Sequence, residues 1–116
     1  MKTGVGSILN YNEQSALKGI IDELAGEYTF IKRIILYGSK ARGDFREDSD
    51  MDLLFITETP VSRSVKNQMS DLIYDYELEN DIVVSAIFVS EPDFESKLSP
   101  FLMRVRREGK VIWSRV

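Results

Sequence analysis

The sequence has no cysteine and no histidine among its 116 residues, and it has one tryptophan and three prolines. The absence of cysteine and histidine excludes a Ser-His-Asp triad, a thiolate nucleophile, a zinc site of cysteine and histidine ligands, and any disulfide bond. Any chemistry that the chain performs must therefore use carboxylates, hydroxyls, lysine and arginine side chains, and the backbone.

Long apolar runs are missing as well. No stretch approaches the ~20 apolar residues that a membrane span requires. The first ten residues also lack the charged start and apolar run of a signal peptide. We therefore expect a cytoplasmic protein that does not enter the membrane.

Positive charge is in short supply, because 15 Lys and Arg stand against 19 Asp and Glu, which gives a formal net charge of −4. Domains that hold long nucleic acids by themselves usually carry a basic excess. We therefore expect no stable nucleic-acid binding by this chain alone. A small phosphorylated ligand stays compatible with the composition, because one site can be positive inside an acidic chain.

The chain shows no internal repeat, no low-complexity tract and no linker rich in serine or proline. Its length suits one hydrophobic core and is too short for two. We predict a single domain over residues 1–116, with residues 1–10 as a flexible arm.

Helical spacing of apolar residues predicts three helices. The limits of these helices are predicted from helix-capping residues, from proline at a first turn and from a terminal glycine. The first begins behind Asn12 and stops at Gly26, the second runs from Ser62 to Asn80, and the third runs from Pro100 to Gly109.

Short apolar or alternating runs predict four strands: Ile34–Tyr37, Met51–Thr57, Asp81–Val89 and Val111–Trp113. Strands that alternate with helices indicate an α/β (α+β) fold, with a small mixed sheet of about four strands and helices packed on it. In the third strand, the period of two places Asp81 on the face opposite the bulky Ile82, Val84 and Phe88.

The informative stretch joins the first two strands. The first strand ends in Gly38-Ser39, a polar turn follows, and the second strand begins with Asp50 and Asp52. Period two puts both carboxylates on one face of that strand. Two like charges held this close repel each other, so the pair favours a bound divalent cation.

Two known phosphate and calcium motifs do not match this stretch. Gly38 and Gly43 have the glycine spacing of a P-loop, but Asp44-Phe45 stands where lysine and a hydroxyl residue are needed. The P-loop is therefore excluded.

The carboxylates Asp48, Asp50 and Asp52 have the spacing of a calcium loop of the EF-hand type. However, Leu53 replaces the required glycine and Thr59 replaces the required glutamate. The remaining alternatives are an ordinary acidic surface loop and the nucleotide motif described next.

Gly38-Ser39, ten intervening residues and Asp50-Met51-Asp52 match the G-S-x10-D-x-D signature of the DNA-polymerase-β-like nucleotidyltransferase superfamily. The chain resembles in particular the minimal nucleotidyltransferases of prokaryotes, which are usually encoded beside a HEPN-domain partner and include antitoxins. The closing segment 106–113 also looks like the usual ending of these proteins. The resemblance implies the nucleotidyltransferase fold.

The resemblance also implies roles for individual residues. Gly38 and Ser39 would hold a nucleoside triphosphate, with ATP as the expected substrate, and Asp50 and Asp52 would coordinate Mg2+. Versions with two Mg2+ ions need a third carboxylate from a later strand, and Asp81 is the candidate.

Basic residues in the same turn would offset the charge of the triphosphate. The candidates are Lys40 and Arg42, with Arg46 further along the turn. Asp44, Glu47 and Asp48 are interpreted as turn and capping residues rather than metal ligands.

The function that the resemblance implies is Mg2+-dependent transfer of a nucleoside monophosphate, in particular AMP, to a hydroxyl group. The short chain leaves no room for a further acceptor-binding domain, so we expect the acceptor to be a partner that brings its own surface. The resemblance implies that this partner is a HEPN-type toxin. The alternative is an interaction module of the antitoxin type that neutralises its partner by binding, with little or no catalysis.

Overall fold

The computed structural model describes residues 9–43, 50–96 and 98–115. Residues 1–8 of the predicted arm therefore lie outside the described residues, as do Asp44, Arg46, Glu47 and Asp48. In chain order, the elements are α1 (Tyr11–Glu27), β1 (Ile31–Tyr37), α2 (Gly38–Arg42), β2 (Met51–Thr57), α3 (Arg63–Asn80), β3 (Val84–Ser90), α4 (Glu91–Ser96), α5 (Pro100–Glu108) and β4 (Lys110–Ser114).

Four strands form one sheet in the order β3-β2-β1-β4. The pairs β1–β2 and β1–β4 are antiparallel, whereas β2 and β3 are parallel. The parallel pair needs a crossover connection, which α3 supplies. The predicted mixed sheet of about four strands is thus confirmed.

Helices cover both faces of the sheet. Leu53 and Phe55 of β2 join the larger core with α1 and α3, while Leu54 and Ile56 pack with Leu102 and the rest of the smaller core. This smaller core involves α4 and α5. Because strand side chains alternate, Asp52 lies in phase with Leu54 on the face that α5 covers.

Helix α1 begins earlier than predicted, because Asn10 rather than Asn12 is its N-cap. The backbone N–H of Glu13 donates to Oδ1 of Asn10 at 2.8 Å, and the N–H of Asn10 donates to Oε1 of Glu13 at 3.0 Å. This reciprocal capping box satisfies two amide groups that a helix start leaves unpaired.

Helix α3 matches its prediction, with Ser62 as N-cap and Asn80 as its last residue. The predicted start of the third strand at Asp81 is wrong. Asp81 is the C-cap of α3 in the left-handed conformation, with φ 53°, and β3 begins only at Val84. The chain needs this left-handed residue to leave the helix before it can turn into the sheet.

Helix α5 is also where the sequence predicts it. The Ser99 side chain accepts the backbone N–H of Leu102 at 3.1 Å, and Pro100 occupies the first turn. The short helix α4 is not predicted, because its six residues are too few to show a helical period. Among the described residues, the helices include none with the length and apolar character needed to cross a bilayer.

Candidate active site

A cavity of about 330 Å³ lies where β1 and β2 meet α2, with α5 as its opposite wall. It brings together four residues of the predicted site: Gly38, Ser39, Arg42 and Asp52. The other lining residues are Tyr37, Phe101, Arg104, Val105 and Glu108. A larger cavity of about 410 Å³ runs along α1, but it contains none of the motif residues.

The strand register places Gly38 against Asp52. Tyr37 pairs with Asp52 across the antiparallel β1–β2 ladder, so the next residue, Gly38, lies beside the Asp52 carboxylate. A Cβ atom added at Gly38 would collide with Oδ2 of Asp52. Gly38 also has φ 75°, a conformation that residues with a side chain rarely adopt. The backbone conformation therefore favours glycine here, and a side chain at this position would displace the Asp52 carboxylate.

The predicted polar turn after Gly38 is one turn of helix, α2, which ends at Gly43 in the left-handed conformation. Ser39 and Arg42 are three residues apart, so they share a face of this turn and both line the cavity. Lys40 and Ala41 lie on the other face and are buried.

The prediction that Lys40 binds the nucleotide is not supported by its position. Nζ of Lys40 lies 2.8 Å from Oε2 of Glu13, and the two side chains are only 1% and 5% exposed. An extended turn would have let all its side chains reach a ligand, whereas the helical period turns Lys40 toward α1. Lys40 is thus part of a buried ion pair.

Asp52 is the electrostatic centre of the cavity. Burial raises its pKa above the ordinary value, and the negative charge of Asp50 raises it further, while the Arg42 cation opposes both effects. Ionisation of Asp52 is therefore less favourable in the folded protein, without a bound cation, than in the unfolded chain. Asp50 is exposed and directly precedes β2, close enough for its charge to act on Asp52. An added cation would relieve this repulsion, so the donor set fits a hard divalent ion such as Mg2+.

The structure does not bring Asp81 together with these two carboxylates. Over residues 9–43, 50–96 and 98–115, no group of three or more acidic side chains is arranged to hold a metal ion. The residue level with Asp52 on the neighbouring strand β3 is Ser85. The predicted placement of Asp81 is wrong. Asp81 is the C-cap of α3, so the alternation of side chains between the two faces of β3 does not extend to it.

We expect Asp81→Asn to retain nucleotide binding and any transfer activity of the wild type, because its position at the end of α3 is outside the cavity. Asparagine also tolerates the left-handed conformation that Asp81 adopts, so stability should change little. Calorimetric titration with ATP and a transfer assay measure both properties. A loss of transfer with unchanged ATP affinity would instead restore Asp81 as a catalytic residue.

Two aromatic residues form one wall of the cavity. The Tyr37 and Phe101 rings meet edge to face, with centroids 5.4 Å apart and an interplanar angle of 85°. Burial, together with the Asp52 charge, raises the pKa of Tyr37 to about 12. The Tyr37 hydroxyl therefore stays protonated at neutral pH and is able to donate a hydrogen bond.

The contribution of α5 to this cavity is absent from the sequence-based prediction. Phe101, Arg104 and Glu108 line it, and Glu108 accepts a charged hydrogen bond from Arg42 at 3.2 Å. Their spacing of three and four residues is the available signal, because it puts them on one helix face. The apolar stripe of α5 indicates core residues and does not by itself reveal a cavity wall.

The raised pKa of Asp52 predicts a pH-dependent effect on stability. A carboxyl whose pKa is raised on folding favours the folded state while it is protonated, and that contribution is lost as the pH rises through the raised pKa. We expect Asp52→Asn to raise the Tm at pH 7 in metal-free buffer, and to raise it less toward pH 4. Thermal melts across this pH range test it.

Asp75→Asn is the matched control, because Asp75 is an exposed carboxylate on α3. It should leave the Tm nearly unchanged at every pH. A lower Tm for Asp52→Asn at pH 7 would contradict the electrostatic description of the cavity.

Comparison with known proteins gives a consistent family assignment. The profile of the nucleotidyltransferase domain family matches residues 16–112. The chain is also 36% identical over 104 residues to a candidate protein adenylyltransferase of Methanocaldococcus jannaschii, MJ0604, covering 88% of this chain and 99% of that protein.

Solved structures share the fold. A toxin-antitoxin complex crystallised with AMP-PNP contains a chain that matches with a TM-score of 0.63 at 18% identity, covering 84% of this chain and 73% of that one. A complex of tri-AMPylated Shewanella oneidensis HEPN toxin with MNT antitoxin matches with a TM-score of 0.59 at 16% identity, covering 90% and 73%. The resemblance seen in the sequence is confirmed, and the chain belongs to the nucleotidyltransferase domain family of enzymes.

Proposed function

We propose that this protein transfers an adenylyl group from ATP to a hydroxyl group on a partner protein of the HEPN class. The observation that carries the proposal is the cavity in which Ser39, Arg42 and Asp52 meet beside the close approach of Gly38. The M. jannaschii relative is named as a candidate protein adenylyltransferase, and one solved neighbour complex holds an AMPylated HEPN toxin. Both support this choice of group and acceptor.

Asp50 and Asp52 would hold Mg2+ in this proposal. When bound, the ion would offset the charge of the phosphate oxygens and favour displacement at the α-phosphorus. The carboxylate pair would hold this ion at the start of β2, and so would set where the triphosphate end of ATP lies. The absence of a side chain at Gly38 lets the Asp52 carboxylate lie directly against the backbone at the start of α2.

Ser39 and Arg42 would bind the phosphates from α2, and Arg104 would approach them from α5. The Ser39 hydroxyl donates a hydrogen bond, while the two guanidinium groups offset negative charge at the cavity wall. The acceptor oxygen forms a bond to the α-phosphorus as the bond to the bridging oxygen of pyrophosphate breaks. Pyrophosphate leaves, and the hydroxyl proton passes to solvent water.

The partner would supply the acceptor hydroxyl. Several large apolar side chains are exposed along the second half of the chain, including Leu98 and Val111. Such side chains are available to pack against another protein. ATP and Mg2+ as reactants also favour a cytoplasmic location.

A second candidate function is neutralisation of the partner by binding alone. The observation that favours it is that, in the described part of the chain, no third carboxylate joins Asp50 and Asp52. Binding through the exposed apolar side chains would then be sufficient, and nucleotide would be bound without transfer.

One experiment separates the two functions. The chain is incubated with Mg2+, ATP labelled at the α-phosphate and a HEPN-domain protein from the same genome, and both proteins are then weighed by mass spectrometry. The expected result is a HEPN protein that gains one or more adenylyl groups. A stable complex in which neither protein gains mass would favour binding alone, and two proteins that neither associate nor gain mass would contradict both functions.

A further inference from the structure

We propose that the inner face of α5 is a subsite for the base of the nucleotide, with Phe101 as the stacking platform, and that it favours a purine. This inference rests on the proposed function, because it requires that the cavity holds a nucleotide. The subsite would contact the base, which is the part of the ligand that the Gly38-Ser39 and Asp50/Asp52 motif does not contact.

The cavity has two chemically different walls. The wall formed by α2 and β2 carries Ser39, Arg42 and Asp52, which suit phosphate groups and a cation. The wall formed by α5 begins with Phe101 and continues with Arg104, Val105 and Glu108, so its aromatic part lies at the start of the helix. A ligand with a charged end and a flat apolar end would match both walls at once.

Phe101 is placed to receive a flat ring. Its ring packs edge to face with the Tyr37 ring, yet 36% of the residue stays exposed. The next residue, Leu102, is only 6% exposed and anchors α5 in the smaller core. A platform held in this way costs little conformational entropy when a base stacks on it.

The polar residues of α5 set the direction of the ligand. Glu108, at the far end of the helix from Phe101, is paired with Arg42 at 3.2 Å. The two ends of α5 are thus distinct: an ion pair with α2 at one end and an aromatic cluster with β1 at the other. This order places the triphosphate at α2 and the base at the start of α5.

Stacking on an aromatic side chain depends on the area of contact. A purine has two fused rings and covers more of Phe101 than a pyrimidine does, so dispersion and hydrophobic contributions are larger. Removing one stacking aromatic side chain weakens nucleotide binding by about tenfold in typical cases. We therefore expect ATP to bind more tightly than CTP, and the difference to depend on Phe101.

The test measures the affinities of MgATP, MgCTP and magnesium tripolyphosphate by calorimetry. Phe101→Ala should weaken ATP binding by about tenfold, reduce the preference for ATP over CTP and leave tripolyphosphate binding unchanged. Phe101→Trp should retain the ATP preference. Met103→Ala is the matched control, because Met103 is an exposed apolar residue of the same helix outside the cavity lining.

A different variant reports on the phosphate end. Ser39→Ala should weaken ATP and tripolyphosphate by the same factor, since its hydroxyl faces the phosphates in either ligand. Phe101→Leu retains apolar bulk against Tyr37 but cannot stack on a base. Equal loss of ATP affinity in Phe101→Leu and Phe101→Ala, with unchanged melting curves, would therefore support stacking over a packing defect.

The outcomes distinguish the subsite from the site itself. If the wild type binds ATP and CTP equally and Phe101→Ala changes neither affinity, the base subsite is overturned while the phosphate site stands. If the wild type binds neither ATP nor tripolyphosphate, the nucleotide site and the subsite are both overturned.

Discussion

Replacing Asp50 and Asp52 together with asparagine is expected to lower adenylyl transfer by at least about 1,000-fold, which corresponds to about 4 kcal/mol of transition-state stabilisation. The variant should remain folded, because Asp50 is exposed and the charge of Asp52 is unfavourable in the folded chain. Loss of activity in a chain of equal or higher Tm would show that the pair serves catalysis at the expense of stability.

Transfer to the HEPN protein and Mg2+-dependent ATP affinity are the two measurements. The matched control is the pair Asp71→Asn and Asp75→Asn, which removes two carboxylates from the exposed surface of α3 and changes the net charge equally. The control should retain full activity. Transfer at the wild-type rate by the Asp50/Asp52 variant would locate the catalytic centre elsewhere.

The sequence is sufficient for the part of the site that depends on strand geometry. The predicted limits of Met51–Thr57 are the observed ones, and Asp50, directly before the strand, is close enough to raise the pKa of Asp52. The observed register then explains Gly38, because Asp52 lies opposite Tyr37 on the neighbouring strand. A continuous apolar run between polar turns leaves little choice of register, which is why this prediction succeeds.

The sequence is not sufficient where the chain changes direction. A segment such as Gly38–Arg42, with one helical turn, has no periodicity to reveal it, so nothing in the pattern separates Lys40 from its neighbour Arg42. The residues after Asp81 alternate and therefore favour a strand, although the helix before it ends in a left-handed cap. In both cases a one-turn or one-residue feature decides where a charged side chain points.

The contribution of α5 cannot be predicted for another reason. Phe101 and Glu108 lie far after Asp52 along the chain, so only the packing of α5 on the sheet brings them to the motif. A single sequence shows that α5 has an apolar stripe but does not show which part of that stripe is left open over a cavity.

The buried pair of Lys40 and Glu13 provides the largest expected effect on stability. Glu13 uses one carboxylate oxygen in the capping box of α1 and the other for Nζ of Lys40 at 2.8 Å. The pair thus joins the start of α1 to the turn that carries Ser39. Removing one partner of a buried ion pair leaves the other charge in an apolar environment, which typically costs about 3–5 kcal/mol.

We therefore expect Lys40→Met to lower the free energy of unfolding by about 3–5 kcal/mol, a large part of the ~5–15 kcal/mol that holds a domain of this size folded. Glu13→Gln should lower it by a similar amount, because it leaves the lysine cation without its carboxylate. Urea unfolding followed by circular dichroism gives these values. The control is Lys18→Met, because Lys18 forms an exposed pair with Asp22 on α1, at 3.3 Å, and such pairs contribute less than about 1 kcal/mol.

The combined variant Glu13→Leu with Lys40→Met removes both charges and fills their space with apolar atoms. It should recover much of the stability that either single change loses, since an apolar pair needs no compensating charge. The recovery will be incomplete, because leucine cannot accept the backbone N–H of Asn10, so one of the two hydrogen bonds of the capping box is lost at a cost of about 1 kcal/mol. If instead the double variant loses the sum of the two single losses, the ion pair is not the reason for them, and the connection between α1 and α2 depends on packing at these positions.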